Sequence, residues 1–224
     1  GIDRALLPEV VEGSTVTGAV SAEAAALTGL VAGTPIVGGG GDNAAAAVGL
    51  GAVDPGILTL SIGTSGVIFA PLARYPDIVD GALHVFCHAL PERWHLMSVT
   101  LAAGGSLRWL RDALAPVLPA ADDAAYDWMM ERAAAAPGGS GGVVFLPYLS
   151  GERTPVNDPV ARGSWFGLHL GTSLEDLVRS VLEGVAFSQR QGLDLMRAAG
   201  ATTSVARGAG GCCGGAIGGC CIIG

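Results

Sequence analysis

The chain has 224 residues, a formal net charge of −8, 50% hydrophobic residues and only 14% charged ones. This acidic balance excludes a general nucleic-acid or anionic-membrane surface, while leaving room for a local phosphate site built from backbone N–H groups. The apolar content, much of it alanine beside abundant glycine, excludes a disordered chain.

In chain order, "SAEAAALTG" predicts a short helix from Ser21 to Gly29, with a serine at its start and a glycine at its end. The uncharged stretch from Ala24 to Gly41 raises a membrane question. Thr28, Gly29, Gly33, Thr34 and Pro35 interrupt it, so it reads as helix end, turn and strand. No charged-then-apolar leader opens the chain, which makes the cytoplasm the expected compartment. "TPIVGGGGDN" predicts a buried strand running into a glycine loop, and "DNAAAAVG" a helix behind it. "VDPG" is a turn signature. "ILTLSIGTSGVIFAPL" predicts two strands joined through Gly63, Thr64, Ser65 and Gly66, and "ALHVFCHAL" with "RWHLMSV" a second pair. Helices are expected over Ser106 to Leu114 and Ala121 to Ala135, then a "PGGSGG" loop and the strand "VVFLPYL". The longest helix is expected from Ser173 to Ala199, with a capping-box start at Ser173 and Asp176 and a stop at Gly200. Leu174, Leu177, Val178, Val181 and Val185 share one face of it. A final strand "SVAR" completes an α/β pattern with a mixed sheet and flanking helices.

Three stretches carry candidate chemistry. Asp42 and Asn43 stand where the glycine loop becomes the alanine helix, a position both residue types favour as N-caps. A carboxylate there is stabilised as an anion by the helix dipole. Asp42 is either a cap or, in a phosphoryl transfer where the hydroxyl loses its proton late, a positioned base. "GTSG" offers closely spaced N–H groups and two hydroxyls, either a phosphate nest or an ordinary hairpin turn; it lacks the lysine and spacing of a P-loop. In "GERTP", Arg153 meets a phosphate or pairs with Glu152 or another acid. His84, His88, His95 and His169 show no metal-ligand spacing, and satisfied structural histidines are the expectation, with a polar pocket as the other reading for His84 and His88. Cys212, Cys213, Cys220 and Cys221 form two adjacent pairs rather than a CxxC frame, so no metal site is assigned. The segment 208–224 uses only Gly, Ala, Cys and Ile and reads as an anomalous tail.

Together, "GGGDNAAAAVGLG", "LSIGTSGVIFA", "HVFCHALPERWHLMSV", "FLPYLSGERTP" and "ARGSWFGLHLGTSLEDLVRSVLEGVAF" resemble the FGGY carbohydrate kinase family. The histidine-rich and GERTP segments resemble its xylulokinase branch. The resemblance implies an actin/hexokinase-like (ribonuclease H-like) ATPase fold, here incomplete, and ATP-dependent phosphorylation of D-xylulose to D-xylulose 5-phosphate. Another sugar or polyol kinase of the family, acting on ribulose or glycerol, and a non-catalytic fragment or binding module are the competing readings. By the resemblance Asp42 matches the catalytic base, Asn43 a sugar contact, and Gly63, Thr64 and the adjoining Ser65 the loop on the β- and γ-phosphates of ATP. ATP and Mg²⁺ are the implied cofactors, a small sugar the partner, with no nucleic acid or membrane and a homodimer left open.

Nothing before Gly38 resembles the family's Asp-x-Gly-Thr loop. Residues 1–53 are therefore expected to be the end of the family's N-terminal domain and 54–207 a partial C-terminal domain. A chain of this extent alone is expected to show no kinase activity.

Overall fold

The computed structural model describes residues 2–77, 81–118 and 122–209. Strand β1 (Val16–Ala19), helix α1 (Ala22–Thr28) and strand β2 (Pro35–Val37) form a small unit in which β1 and β2 pair antiparallel. Ser21 caps α1 by accepting the Ala24 N–H, and Gly29 closes it in the left-handed region at φ 77°. Among the described residues none before Ala44 is fully buried.

Helix α2 (Asp42–Gly49) leads into the main sheet: β3 (Gly56–Ile62), β4 (Gly66–Leu72), β5 (His84–Cys87) and β6 (Trp94–Thr100). Helices α3 (Gly104–Ala113) and α4 (Asp122–Ala135), the small hairpin β7 (Val144–Leu146) and β8 (Ser164–Phe166), helix α5 (Leu174–Ala198) and strand β9 (Thr203–Ala209) complete the chain. The sheet order is β5-β6-β4-β3-β9, antiparallel except that β9 returns parallel to β3. The expected mixed sheet is present. The expected start of α4 at Ala121 and the four tail cysteines lie outside the described residues.

Alternation along a strand assigns the two faces of the sheet. On β4, Ile68, Ala70 and Leu72 pack with Leu58, Leu96, Leu193 and Met196 beneath α5. Phe69 points the other way, into a cluster with Ala44, Ala47 and Ala52, so α2 covers the opposite face. A third core joins α3, α4, β7 and the first half of α5 through Leu107, Leu110, Met129, Phe145, Val178 and Val181. The capping box at Ser173 is formed as expected. The most buried face of α5 includes small and polar residues, among them Ser180, Gly184, Ser188 and Gly192; Leu177 and Val185 are only half-buried.

Candidate active site

The turn between β3 and β4 is closed by the Gly63 N–H bonding to Ser65 O at 2.9 Å. The start of α3 folds against it: Ala103 and Gly105 donate to Thr64 O at 2.9 and 3.0 Å, and Gly104 donates to Gly63 O at 2.9 Å. Gly105 must be small here, because an added Cβ would lie 2.9 Å from Thr64 O. Arg108, one turn further along α3, donates through Nη2 to Thr64 Oγ1 at 3.1 Å. The N–H groups of Thr64 and Ser65 have no acceptor among the described residues. The turn therefore presents two free amides, two hydroxyls and a guanidinium, a donor set suited to phosphate oxygens. Arg108 escaped the sequence reading because nothing local ties it to a residue 44 positions earlier.

The glycine loop before Asp42 exists because three backbone segments meet there. An added Cβ at Gly40 would lie 2.9 Å from the Ala89 Cβ, and one at Gly38 would lie 2.9 Å from Glu12 O. Gly39 sits at φ 77°, a region glycine enters at little steric cost. Gly41, not Asp42 or Asn43, is the N-cap, and no side chain caps it. This corrects the expectation of a capping pair. Asp42 is the first helical residue and is exposed; its Oδ1 accepts the Asn43 N–H at 2.8 Å and Asn43 Nδ2 at 3.2 Å. It satisfies one first-turn amide without being the cap. Its other oxygen has no partner among the described residues.

Asp42–Asn43 and Gly63–Ser65 form two separate groups, and no hydrogen bond or ion pair joins them among the described residues. Both groups are mounted on β4, which leaves the turn at Gly66 and carries Phe69, on which α2 rests. A concavity of about 400 Å³ at the open end of the hairpin, lined by Pro55, Leu72, Arg74 and Ala198, includes neither group.

The expected ion pair of Arg153 with Glu152 is not formed: Glu152 is buried and its Oε1 accepts the N–H groups of Leu101 and Arg153, both at 2.8 Å. Burial pushes its carboxyl above the usual range, with those two amides and the Arg153 charge acting the other way. His88 is structural as expected, with Nε2 3.4 Å from Ala52 O and Nδ1 accepting the Leu90 N–H at 3.2 Å. His95 is buried and stacks on Phe69 at 4.2 Å between centroids, but its Nδ1 has no partner. Burial, with the neighbouring His88, pushes the His95 imidazole down to about 4. His84 Nε2 is also buried without a partner. Satisfied histidines were expected, and two of the three in this group are not. No three His, Cys, Asp or Glu side chains gather as a metal site among the described residues, and no helix there is long and apolar enough to cross a membrane.

The sequence matches the FGGY family of carbohydrate kinases in two blocks, the N-terminal domain over residues 1–49 and the C-terminal domain over residues 58–214. It is 44% identical over 203 residues to the xylulose kinase of Escherichia coli (strain K12), covering 89% of this chain and 40% of that protein. It is 35% identical over 200 residues to the xylulose kinase of Bacillus subtilis (strain 168), covering 89% and 39%. The crystal structure of xylulose kinase from Rhodospirillum rubrum superposes with a TM-score of 0.81 at 34% identity, covering 92% of this chain and 41% of that one. The chain thus spans about two fifths of the length of these relatives. The mixed sheet and its helices carry the actin/hexokinase-like ATPase fold expected from the sequence. With both domain patterns matched in order and the fold shared, the chain belongs to the FGGY family of carbohydrate kinases.

Proposed function

We propose that this chain carries the acid and the phosphate turn of an ATP-dependent sugar kinase that converts D-xylulose to D-xylulose 5-phosphate. Residues 1–53 then belong to the family's N-terminal domain and 54–207 to its C-terminal domain. The observation that carries the reading is a turn whose Thr64 and Ser65 amides are free, at the start of the strand β4 against whose Phe69 the helix that opens with exposed Asp42 packs. The similarity to proteins named xylulose kinase supports the choice of sugar.

Bound ATP, with its Mg²⁺, would supply the phosphoryl group. The free amides of Thr64 and Ser65, with Arg108, would hold phosphate oxygens. The described residues form no cage of three metal-binding side chains, which is ordinary for an ion carried on nucleotide phosphates. Asn43 fixes the Asp42 carboxylate by two hydrogen bonds on Oδ1, leaving the second oxygen to accept the sugar hydroxyl's proton. In a loose transition state that proton leaves late, so placement of the carboxylate matters more than its basicity.

The test supplies the longer parent kinase that contains this chain, since the chain alone is expected to be inactive, with D-xylulose and MgATP and follows ADP release. Sugar-dependent ADP is expected, reduced about 10²- to 10⁴-fold in Asp42→Asn. Absence of sugar-dependent ADP, or an equal rate in the variant, overturns the reading. Ribulose and glycerol arms decide whether the activity belongs to another branch of the family.

A further inference from the structure

Helix α2 carries Asp42 at its first position, and two side chains from distant parts of the chain converge on the carbonyls just beyond its last. Arg207 of β9 donates through Nη1 to Leu50 O. His88, the residue after β5, directs Nε2 at Ala52 O at 3.4 Å, and its Nδ1 already accepts the Leu90 N–H. That second bond fixes the proton on Nε2, so the imidazole is a donor to Ala52. Gly51 between the two acceptors sits at φ 67°, where an added Cβ would meet the Arg207 guanidinium. β5 and β9 are the two edge strands of the sheet, so the end of α2 is gripped from both edges.

The helix needs such a grip. The carbonyls at a helix C-terminus lack intrahelical partners and carry the negative end of the dipole; the guanidinium satisfies the Leu50 carbonyl there, and His88 holds the Ala52 carbonyl of the turn that follows. Eight residues are too few for a helix stable by itself. Only Ala44 and Ala47 of α2 are fully buried, so packing on Phe69 uses two methyl groups. At the other end stand four consecutive glycines, Gly38 to Gly41, which give no rigid support.

We infer that Arg207 and His88 are positioning residues: they clamp the C-terminal end of α2 and thereby set where Asp42 stands relative to the Gly63–Ser65 turn. The inference rests on the proposed role of Asp42. Neither residue bonds to Asp42, which lies about 12 Å along the helix from the clamp at 1.5 Å per residue. The helix acts as a rod, and a displacement of about 1 Å at a reacting group costs about 10²-fold in rate.

Two readouts test the clamp. In amide hydrogen exchange on the full chain, His88→Ala and Arg207→Met should speed exchange at Ala46 to Leu50 by about tenfold while β4 and β6 keep their protection. His88→Gln keeps an N–H at the Nε2 position and Arg207→Lys keeps a cation, so both should restore most of it. In sugar-dependent turnover, the Ala and Met variants should lower kcat about 10- to 100-fold with KM for ATP within about twofold, again rescued by Gln and Lys. Unchanged exchange in α2 overturns the clamp, as does loss of protection spread equally over β4 and β6. Faster α2 exchange with unchanged kcat overturns its role in positioning Asp42. Turnover is read in the longer parent kinase; a wild-type parent without sugar-dependent turnover removes the kinase reading alone, and the exchange result then decides the clamp by itself.

Discussion

Arg108 Nη2 and Thr64 Oγ1 lie 3.1 Å apart, which couples the first turns of α3 to the hairpin turn whose amides are free. One guanidinium donor is used there, and the rest of the five-donor fork remains available to an anion. Arg108 is exposed, so its loss should cost little stability. Charge-assisted hydrogen bonds are worth about 1.5–3 kcal/mol, so Arg108→Ala should raise KM for ATP by about 10- to 100-fold, with melting unchanged. Lysine should recover only part of this, because a point charge lacks the planar fork. Initial rates across an ATP series at saturating sugar decide it. An unaltered KM would remove Arg108 from nucleotide binding.

The His95 imidazole is held at about 4, against about 6.5 for a free histidine. Its folded value lies below its unfolded one, so the unfolded chain binds the proton more tightly. The stability that neutral His95 contributes is therefore complete above about pH 6.5 and lost as pH falls toward about 4, on the order of 3 kcal/mol across that window. His84 and His88 are lowered too, first by burial, and add to the same slope. Urea midpoints measured between these pH values should fall with acid in the wild type and fall less in His95→Phe, which keeps the stack on Phe69. Parallel slopes in the two proteins would refute this account of acid sensitivity.

Local signals were legible in the sequence where one stretch decides its own structure. Ser21 and Gly29 bound α1, the Gly63–Gly66 run marks the hairpin, and Ser173 with Asp176 starts α5. Strand β1 was not legible, because all four of its residues are exposed and no apolar alternation is imposed on them. Strand β8 was missed for a related reason: three residues, paired only with β7, carry no period. The site was half legible. Asp42 and the turn announce themselves through glycine runs, which record close backbone approach. Arg108, Arg207 and His88 act through contacts 36 to 157 residues apart, which no local pattern encodes. Glu152 turned inward because the Leu101 and Arg153 amides needed an acceptor, and an adjacent arginine side chain could not supply one.

At the start of α5, Ser173 Oγ accepts the Asp176 N–H at 3.1 Å, and Asp176 Oδ2 accepts the Ser173 N–H at 3.0 Å. The Ser173 N–H, together with the Ser173 hydroxyl that donates to the same Oδ2 at 2.7 Å, holds the Asp176 carboxyl below its ordinary range. Because α5 spans 25 residues and contributes to two cores, fraying at its first turn is felt by the whole sheet. Ser173→Ala should cost about 1 kcal/mol, or about 2–4 °C in Tm for a domain of this size. Threonine should recover most of the loss. A calorimetric Tm equal to wild type in the alanine variant would mean that the box is redundant with the packing behind it.

Two glycines inside α5 test whether close approach or helix propensity decides. In an exposed helix, Gly→Ala gains about 1 kcal/mol from reduced backbone entropy. At Gly184 the new Cβ would fall on Phe145 O of β7, and at Gly192 on Ser98 Oγ of β6. Overpacking costs about 1–3 kcal/mol, so both alanine variants should be net destabilised, but unequally. A backbone carbonyl in a paired strand cannot step aside, whereas the Ser98 hydroxyl has no hydrogen-bond partner and can rotate away. Gly184→Ala should therefore lower Tm more than Gly192→Ala, and adding Ser98→Ala should recover most of the second loss and none of the first. Thermal unfolding of these four variants beside the wild type decides the order. A more stable Gly184→Ala would show that β7 yields to the helix, which is incompatible with the close α5–β7 contact that seats Phe145 in its core.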